Sequence, residues 1–216
     1  CLNMAQQGLF GEVIHAQGAY IHNLEPFWAH YQGNWRLEFN QDHAGDVYAT
    51  HGLGPVCQVL DIHRGDKMEY LVSMSTPSYN GKKIAKEMMG TEEFANGDMT
   101  STLIKTNKGK TILIQHNVYT PRPYDRLYQL TGTEGFANKY PIEGFTLKEE
   151  NVPSDVIPDH EKLDEHGFVS NEVRDSLMIA YKHPIAKDIE EKAKSVGGHG
   201  GMDFIMDYRL IYCLQN

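Results

Sequence analysis

The chain has 216 residues, 40% of them hydrophobic and 23% charged, with a formal net charge of −9 and a pI near 5.6. That composition is globular, its acidic balance argues against nucleic acid or an anionic membrane surface as a partner, and no apolar run reaches transmembrane length. Cys1, Cys57 and Cys213 are an odd set without a C-x-x-C pair, so they imply no disulfide framework and decide no compartment.

In chain order, "CLNMAQQGLFGEV" reads as the last turns of a helix with Gly8 past its end. "GEVIHAQGAYIHN" reads as a strand whose period of two puts Ile14, Ala16, Gly18, Tyr20 and His22 on one face. "LEPFWAHYQGNWRLEFNQDHAGD" is aromatic and irregular, and is expected as a long loop. "THGLGPVCQVLDIHRG" gives Leu53, Val56, Cys57 and Leu60 on one helical face, ending at Gly65. Three strands follow in "KMEYLVSMS", "DMTSTLIKT" and "KTILIQHNV", the last two joined by a hairpin turn at Asn107-Lys108-Gly109. "DRLYQLTGTEGFANKY" is a further strand with a turn at Gly132 to Gly135 and a short continuation.

Residues 148–170 are acidic and proline-bearing and read as a surface insertion. Two helices are expected at 171–182 and 185–196, the second with Pro184 at its first turn and Gly197 after its end. "SVGGHGGMDF" then sets one imidazole, His199, among four glycines, and a last helical pattern carries Phe204, Ile205, Tyr208, Ile211, Tyr212 and Leu214. Both termini cut an element, so the chain reads as a piece of something longer. Strands in the middle and helices at the ends predict α+β, a mainly antiparallel open sheet with helices on one face.

Candidate chemistry concentrates in "WRLEFNQDHAGDVYATHGLGP". Tyr48, Thr50 and His51 fall at or before a helix N-terminus, where backbone N–H groups and the dipole favour oxyanions and disfavour an imidazolium. His51 would then be neutral and able to accept a proton; alternatively Thr50 is only an N-cap and His51 a first-turn residue. Tyr20, His22, Arg36 and "NVYTPRPYDR" add phenols, an imidazole and a guanidinium that suit a polyhydroxylated ligand, with Trp28 and Trp35 as stacking surfaces or, taken singly, as packing. The eleven histidines include no H-E-x-x-H, and no metal is expected. No G-x-G-x-x-G or P-loop is present.

"LNMAQQGLFGEVIHAQGAYIHNL", "GDVYATHGLGPVCQVLDIHRGDKM", "PRPYDRLYQLTGTEGFA" and "GGHGGMDF" resemble glycoside hydrolase family 109, within the wider glucose–fructose oxidoreductase-like group. The resemblance implies that residues 1–216 are the C-terminal substrate-binding domain of a two-domain parent, whose N-terminal Rossmann domain would bind NAD. It implies a glycan substrate with terminal α-linked N-acetylgalactosamine and a homodimer formed through the sheet. It also implies oxidation at C3 by NAD, elimination of the aglycone after loss of the C2 proton, water addition and re-reduction. Position by position, it makes Tyr20, Arg36, Tyr48, Ala49, Thr50, His51 and, less closely, Tyr124 substrate-binding. It makes Tyr20, His51 and His199 catalytic, with the glycine-flanked histidine delivered by a mobile flap. His51 aligns with the histidine that sibling sugar dehydrogenases set opposite the nicotinamide; those siblings carry an Asp four residues earlier, where the present chain has Val47. The other readings are a sugar oxidoreductase releasing reduced cofactor and a non-catalytic interaction domain.

Overall fold

A computed structural model describes residues 1–31, 33, 35–140, 142–148 and 167–216. Seven strands form one sheet: β1 (Val13–Ile21), β2 (Met68–Ser75), β3 (Thr100–Thr106), β4 (Thr111–Asn117), β5 (Tyr128–Gly132), β6 (Gly135–Lys139) and β7 (Gly144–Leu147), in the order β2-β3-β4-β1-β5-β6-β7. Strands β1 and β4 pair in parallel, and every other neighbouring pair is antiparallel. The helices are α1 (Leu2–Gln6), α2 (Trp28–Tyr31), α3 (Trp35–Asp42), α4 (Ala49–Val59), α5 (Asn80–Met89), α6 (Asn171–Ala180), α7 (Pro184–Val196) and α8 (Met202–Gln215).

The register explains which face is covered. Ile104, Ile112, Ala16, Leu130, Ala137 and Phe145 are successive cross-strand neighbours, and all six are buried. Val56 of α4 and Leu60 at its C-terminal cap, Met4 of α1 and Val173 and Leu177 of α6 close over that row in one core cluster. Each fully buried Leu, Ile or Phe contributes about 1.5–3 kcal/mol. One residue along, the row Val72, Leu103, Leu113, Gln17, Gln129 faces away from the helices, with Val72 and Leu103 exposed. The architecture is the α+β arrangement that the strand and helix patterns predict.

The hairpin turn closes where expected: Gly109 has φ +82°, and its N–H donates to the Thr106 carbonyl. Residues 171–180 and 184–196 are helical as expected, and Gly197 follows α7 with φ +88°. Three local expectations change. Ile14 leaves the core face because the β1–β5 register shifts between Val13 and His15, turning Ile14 outward, whereas Ala16 and Tyr20 keep it. The stretch expected as a long loop forms a 3-10 turn at Glu25–Phe27 followed by α2 and α3. These helices are too short to be stable alone; they persist because Trp28 and Leu37 are buried with Tyr20, Leu24, Ile84, Phe94 and Tyr119 in a second core cluster. Trp28 is stacked on Tyr119 and 1% exposed, which makes it core and not a ligand surface.

Helix α5 lies in residues 76–97, outside the expected elements, although Ile84, Ala85, Met88 and Met89 recur at helical spacing and pack on the second core cluster. Its first N–H groups, from Tyr79, Asn80 and Gly81, donate to the Asp98 carboxylate from a distant segment, so the cap is tertiary. Of the expected insertion, residues 149–166 lie outside the described residues. Phe168 and Val169 are back on the fold, Val169 donating to the Phe145 carbonyl and Phe168 lying against Gly144.

Candidate active site

The central strand β1 ends under the N-terminus of α4, and two glycines set the distance between them. A Cβ on Gly18 would lie 2.3 Å from the Gly52 carbonyl oxygen, so strand and helix meet backbone to backbone. Tyr20 follows Gly18 on the same face, and His51 precedes Gly52. Their rings consequently meet at 4.5 Å between centroids. Tyr48, which caps α4, stacks on Tyr20 at 5.0 Å and lies edge-on to His51 at 5.7 Å.

The register supplies the flanks. On the β4 side, Tyr20 is paired with His116, and their rings are nearly parallel at 6.0 Å; His116 also stacks on Tyr48 at 6.0 Å. On the other side the chain before β5 is stitched to β1 by bonds from Ala19 N–H to the Leu127 carbonyl and between Ile21 and Asp125 in both directions. Arg126 therefore stands opposite Tyr20, its guanidinium 4.7 Å over the Tyr20 ring and 5.6 Å over Tyr124. His22 meets Tyr124 edge-on at 4.9 Å, and its Nδ1 is 3.4 Å from the Tyr20 hydroxyl.

Arg36 closes the fourth side, 5.8 Å over Tyr48. Its helix α3 is held by a buried amide network: Asn40 donates to the Arg36 carbonyl at 2.7 Å and accepts from Asn96 at 2.8 Å and from the Tyr119 hydroxyl.

The structure thus brings together Tyr20, Arg36, Tyr48, His51 and Tyr124, with Ala49 and Thr50 in the first turn of α4. Thr50 is not the cap; that position is Tyr48, and its side chain makes no capping bond. His199 is not brought in. It sits at φ +46° between Gly198 and Gly200, its side chain 76% exposed, with Nδ1 2.9 Å from the Asp203 carboxylate.

Two members escaped the sequence reading. His116 lies two residues beyond Ile114 on a strand face that is otherwise apolar, which is the one local signal it carries. Arg126 is conspicuous only once "PRPYDR" is paired with β1. Asp46, two residues before Tyr48, adds a carboxyl group: its Oδ1 accepts from the Tyr48 N–H at 3.1 Å, while its buried Oδ2 has no hydrogen-bond partner among the described residues.

Electrostatically the site favours neutral groups. Burial, and next the Arg126 charge, hold the His22 and His51 imidazoles below the usual histidine range. His51 keeps one side open to solvent and the other against Tyr20 and Tyr48. His116 is fully buried and pushed down to about 4, by burial and then by the His51 charge. Burial pushes Asp46 up to about 6, against the opposing Tyr48 N–H. A neutral imidazole beside a phenol can accept a proton, and shifted groups gathered in one place are a mark of functional sites.

A dinucleotide cradle needs a Gly-rich turn from a strand into a helix with an unencumbered N-terminus. The Gly197–Gly201 turn leaves helix α7 instead of a strand, and Asp203 stands in the first turn of α8, where a Cβ on Gly198 would touch it. That turn does not fit a dinucleotide. Among the described residues, no group of three His, Cys, Asp or Glu side chains is placed to hold a metal ion.

Fold and cluster define an open-faced α+β sheet domain with a polar, aromatic site at one end of its central strand. The chain belongs to glycosyl hydrolase family 109: residues 1–216 match the family's "Glycosyl hydrolase 109, C-terminal domain". It is 64% identical over 217 residues to "Glycosyl hydrolase family 109 protein 1" of Bacteroides fragilis, covering 100% of this chain and 47% of that protein. It is 63% identical to "Glycosyl hydrolase family 109 protein" of Porphyromonas gingivalis, covering 46% of that one. The chain therefore spans about half the length of the curated relatives it matches. Among solved structures it is similar to a levoglucosan dehydrogenase in complex with NADH, at 15% identity and TM-score 0.45 over 68% of this chain and 42% of that one. It is also similar to an inositol dehydrogenase homolog complexed with NAD+ from Azotobacter vinelandii, at 13% identity and TM-score 0.45 over 96% and 58%.

Proposed function

We propose that this chain is the substrate domain of an NAD-dependent glycosidase that hydrolyses terminal α-linked N-acetylgalactosamine. Membership of glycosyl hydrolase family 109 supports the reading, and the observation that carries it is the Tyr20–His51 ring contact at the mouth of the cluster. The sequence has no G-x-G-x-x-G and the Gly197–Gly201 turn does not fit a dinucleotide, so in this reading the nucleotide of NAD would be held by a part of the full-length protein outside this chain. When bound, NAD would supply reversible hydride storage that acidifies a neighbouring sugar proton.

The chain's own residues bind and handle protons. The neutral His51 imidazole accepts a proton from the sugar, and the Tyr20 phenol, in contact with it, hydrogen-bonds the same region. Arg36, Tyr48 and Tyr124 hold sugar hydroxyls, and the first-turn N–H groups at Ala49 and Thr50 face ligand oxygen. Asp46 brings one carboxyl group to the site, its Oδ1 taken by the Tyr48 N–H, and among the described residues no second carboxylate joins the ring and guanidinium contacts, which disfavours the direct route through two acids on either side of the scissile bond. His199 is a second proton-handling group, carried on the Gly197–Gly201 turn. Two copies associate through the open sheet face, where exposed Tyr70, Val72, Met74 and Leu103 form an apolar patch.

The test uses the full-length protein with NAD in deuterated water. Released N-acetylgalactosamine should carry deuterium at C2; product that keeps its original C2 hydrogen rules the reading out. Steady accumulation of NADH in place of cleavage would make the protein a sugar oxidoreductase.

A further inference from the structure

Arg126 occupies a position that packing alone does not account for. The chain carries 29 acidic against 20 basic residues, so a carboxylate partner is easy to supply. Two other arginines have one: Arg122 pairs with Asp125 and Arg174 with Asp175. Arg126 makes no ion pair among the described residues, and its Nε is buried without a hydrogen-bond partner. Two tyrosine rings take the flat face of the guanidinium, at 4.7 and 5.6 Å. A cation–π contact uses that face and leaves the in-plane N–H groups unspent. The backbone is equally committed: the bonds of Ala19 to Leu127 and of Ile21 to Asp125 fix residue 126 beside Tyr20.

A desolvated donor with no acceptor is costly in a folded protein, and the cost is relieved when a ligand brings the acceptor. We propose that Arg126 is a ligand-anchoring residue of this site, its guanidinium edge donating to a carbonyl oxygen or an oxyanion of the bound ligand. Two parts of an N-acetylated sugar offer that chemistry: the acetamido carbonyl, present throughout, and the C3 oxygen, which gains negative charge as the C2 proton leaves the oxidised sugar. A planar fork of donors suits either oxygen better than an ammonium does. The same charge bears on His22 and His51, holding both imidazoles toward the neutral form. Arg126 therefore joins the Tyr124 side of the pocket to the His51 side.

The choice of substrate for the test rests on the glycosidase reading; the anchoring itself does not. In the full-length protein with NAD, Arg126→Gln should lower kcat/KM for an α-N-acetylgalactosaminide by about 10- to 100-fold, the scale of one charged hydrogen bond. Arg126→Lys should recover only part of this. A rise in KM assigns the contact to the acetamido carbonyl, and a fall in kcat assigns it to the developing oxyanion. Arg122→Gln, on the same segment but paired with Asp125, should change neither. Native kinetics in Arg126→Gln would overturn the proposal. Should that variant unfold, the Nε–H resonance of Arg126 in the unaltered protein decides: it must shift on titration with N-acetylgalactosamine or with acetate, and a resonance indifferent to both overturns the proposal. If the unaltered protein cleaves no galactosaminide, the glycosidase reading fails, and the acetate titration alone judges Arg126.

Discussion

Gly18 of β1 and Gly52 of α4 touch through their backbones, a Cβ on Gly18 falling 2.3 Å from the Gly52 carbonyl oxygen and one on Gly52 falling 2.8 Å from the Ala19 nitrogen. Neither glycine needs an unusual φ, so close approach is the reason for both. Replacing Gly52 by alanine should raise helix propensity by about 1 kcal/mol, yet overpacking against rigid backbone costs about 1–3 kcal/mol. The clash prevails. Gly52→Ala is expected to lower the denaturant midpoint and, by lifting His51 from Tyr20, the rate as well; a variant that is more stable and fully active would show that the contact is slack.

His51→Asn in the full-length protein should lower kcat by about 10² to 10⁴, the usual cost of losing a positioned acid or base. Because His51 is held below the usual histidine range, its neutral form persists to lower pH. The acid limb of the kcat/KM profile should therefore lie below about pH 6.5. Undiminished turnover in a His51→Ala, Tyr20→Phe double variant would reassign the domain to a non-catalytic, interaction role.

Stability should depend on pH through two groups that oppose one another. His116 titrates near 4 when folded and near 6.5 when unfolded. As pH falls from 6.5 to about 4 the unfolded chain takes a proton that the folded one refuses, and stability drops by up to about 3 kcal/mol. Asp46, pushed up to about 6 from 3.8, holds a proton in that same window which the unfolded chain has released, so its contribution weakens as pH rises. His116→Phe should leave stability falling from about pH 4 to pH 6, and Asp46→Asn should sharpen the loss on acidification. Urea midpoints at about pH 4.5 and pH 7 measure both slopes; slopes identical to the parent's would refute the buried neutral His116.

His199→Ala should lower the rate of the full-length protein while leaving its melting temperature unchanged, since the side chain is 76% exposed and, among the described residues, its polar contact is with Asp203. Asp203→Asn, which removes that partner and keeps the imidazole, should be milder. Native kinetics in His199→Ala would return the residue to a plain helix-connecting turn.

Periodicity and turn chemistry were legible wherever the signal is local. The hairpin at Asn107-Lys108-Gly109, the strands around it, the α4 face of Val56 and Leu60, and the Pro184 start and Gly197 end of α7 all follow from backbone preference and alternation over a few residues. Tyr20, Arg36, Tyr48, His51 and Tyr124 were nameable from their motifs, because those motifs are contiguous. Sequence alone therefore determined the class of fold, the family and the main candidates for the site.

Tertiary structure alone decided what depends on pairing. Helices α2 and α3 exist because Trp28 and Leu37 are buried by residues as distant as Phe94 and Tyr119, and short segments hold helical form only with such help. The start of α5 is satisfied by Asp98 from another segment. The row His116, Tyr20, Arg126 is assembled from two strands and the segment before β5, by a parallel register on one side and antiparallel backbone bonds on the other. No window along the chain contains it, since cross-strand neighbours separated by about a hundred residues become adjacent only once hydrogen-bond register sets their backbones side by side.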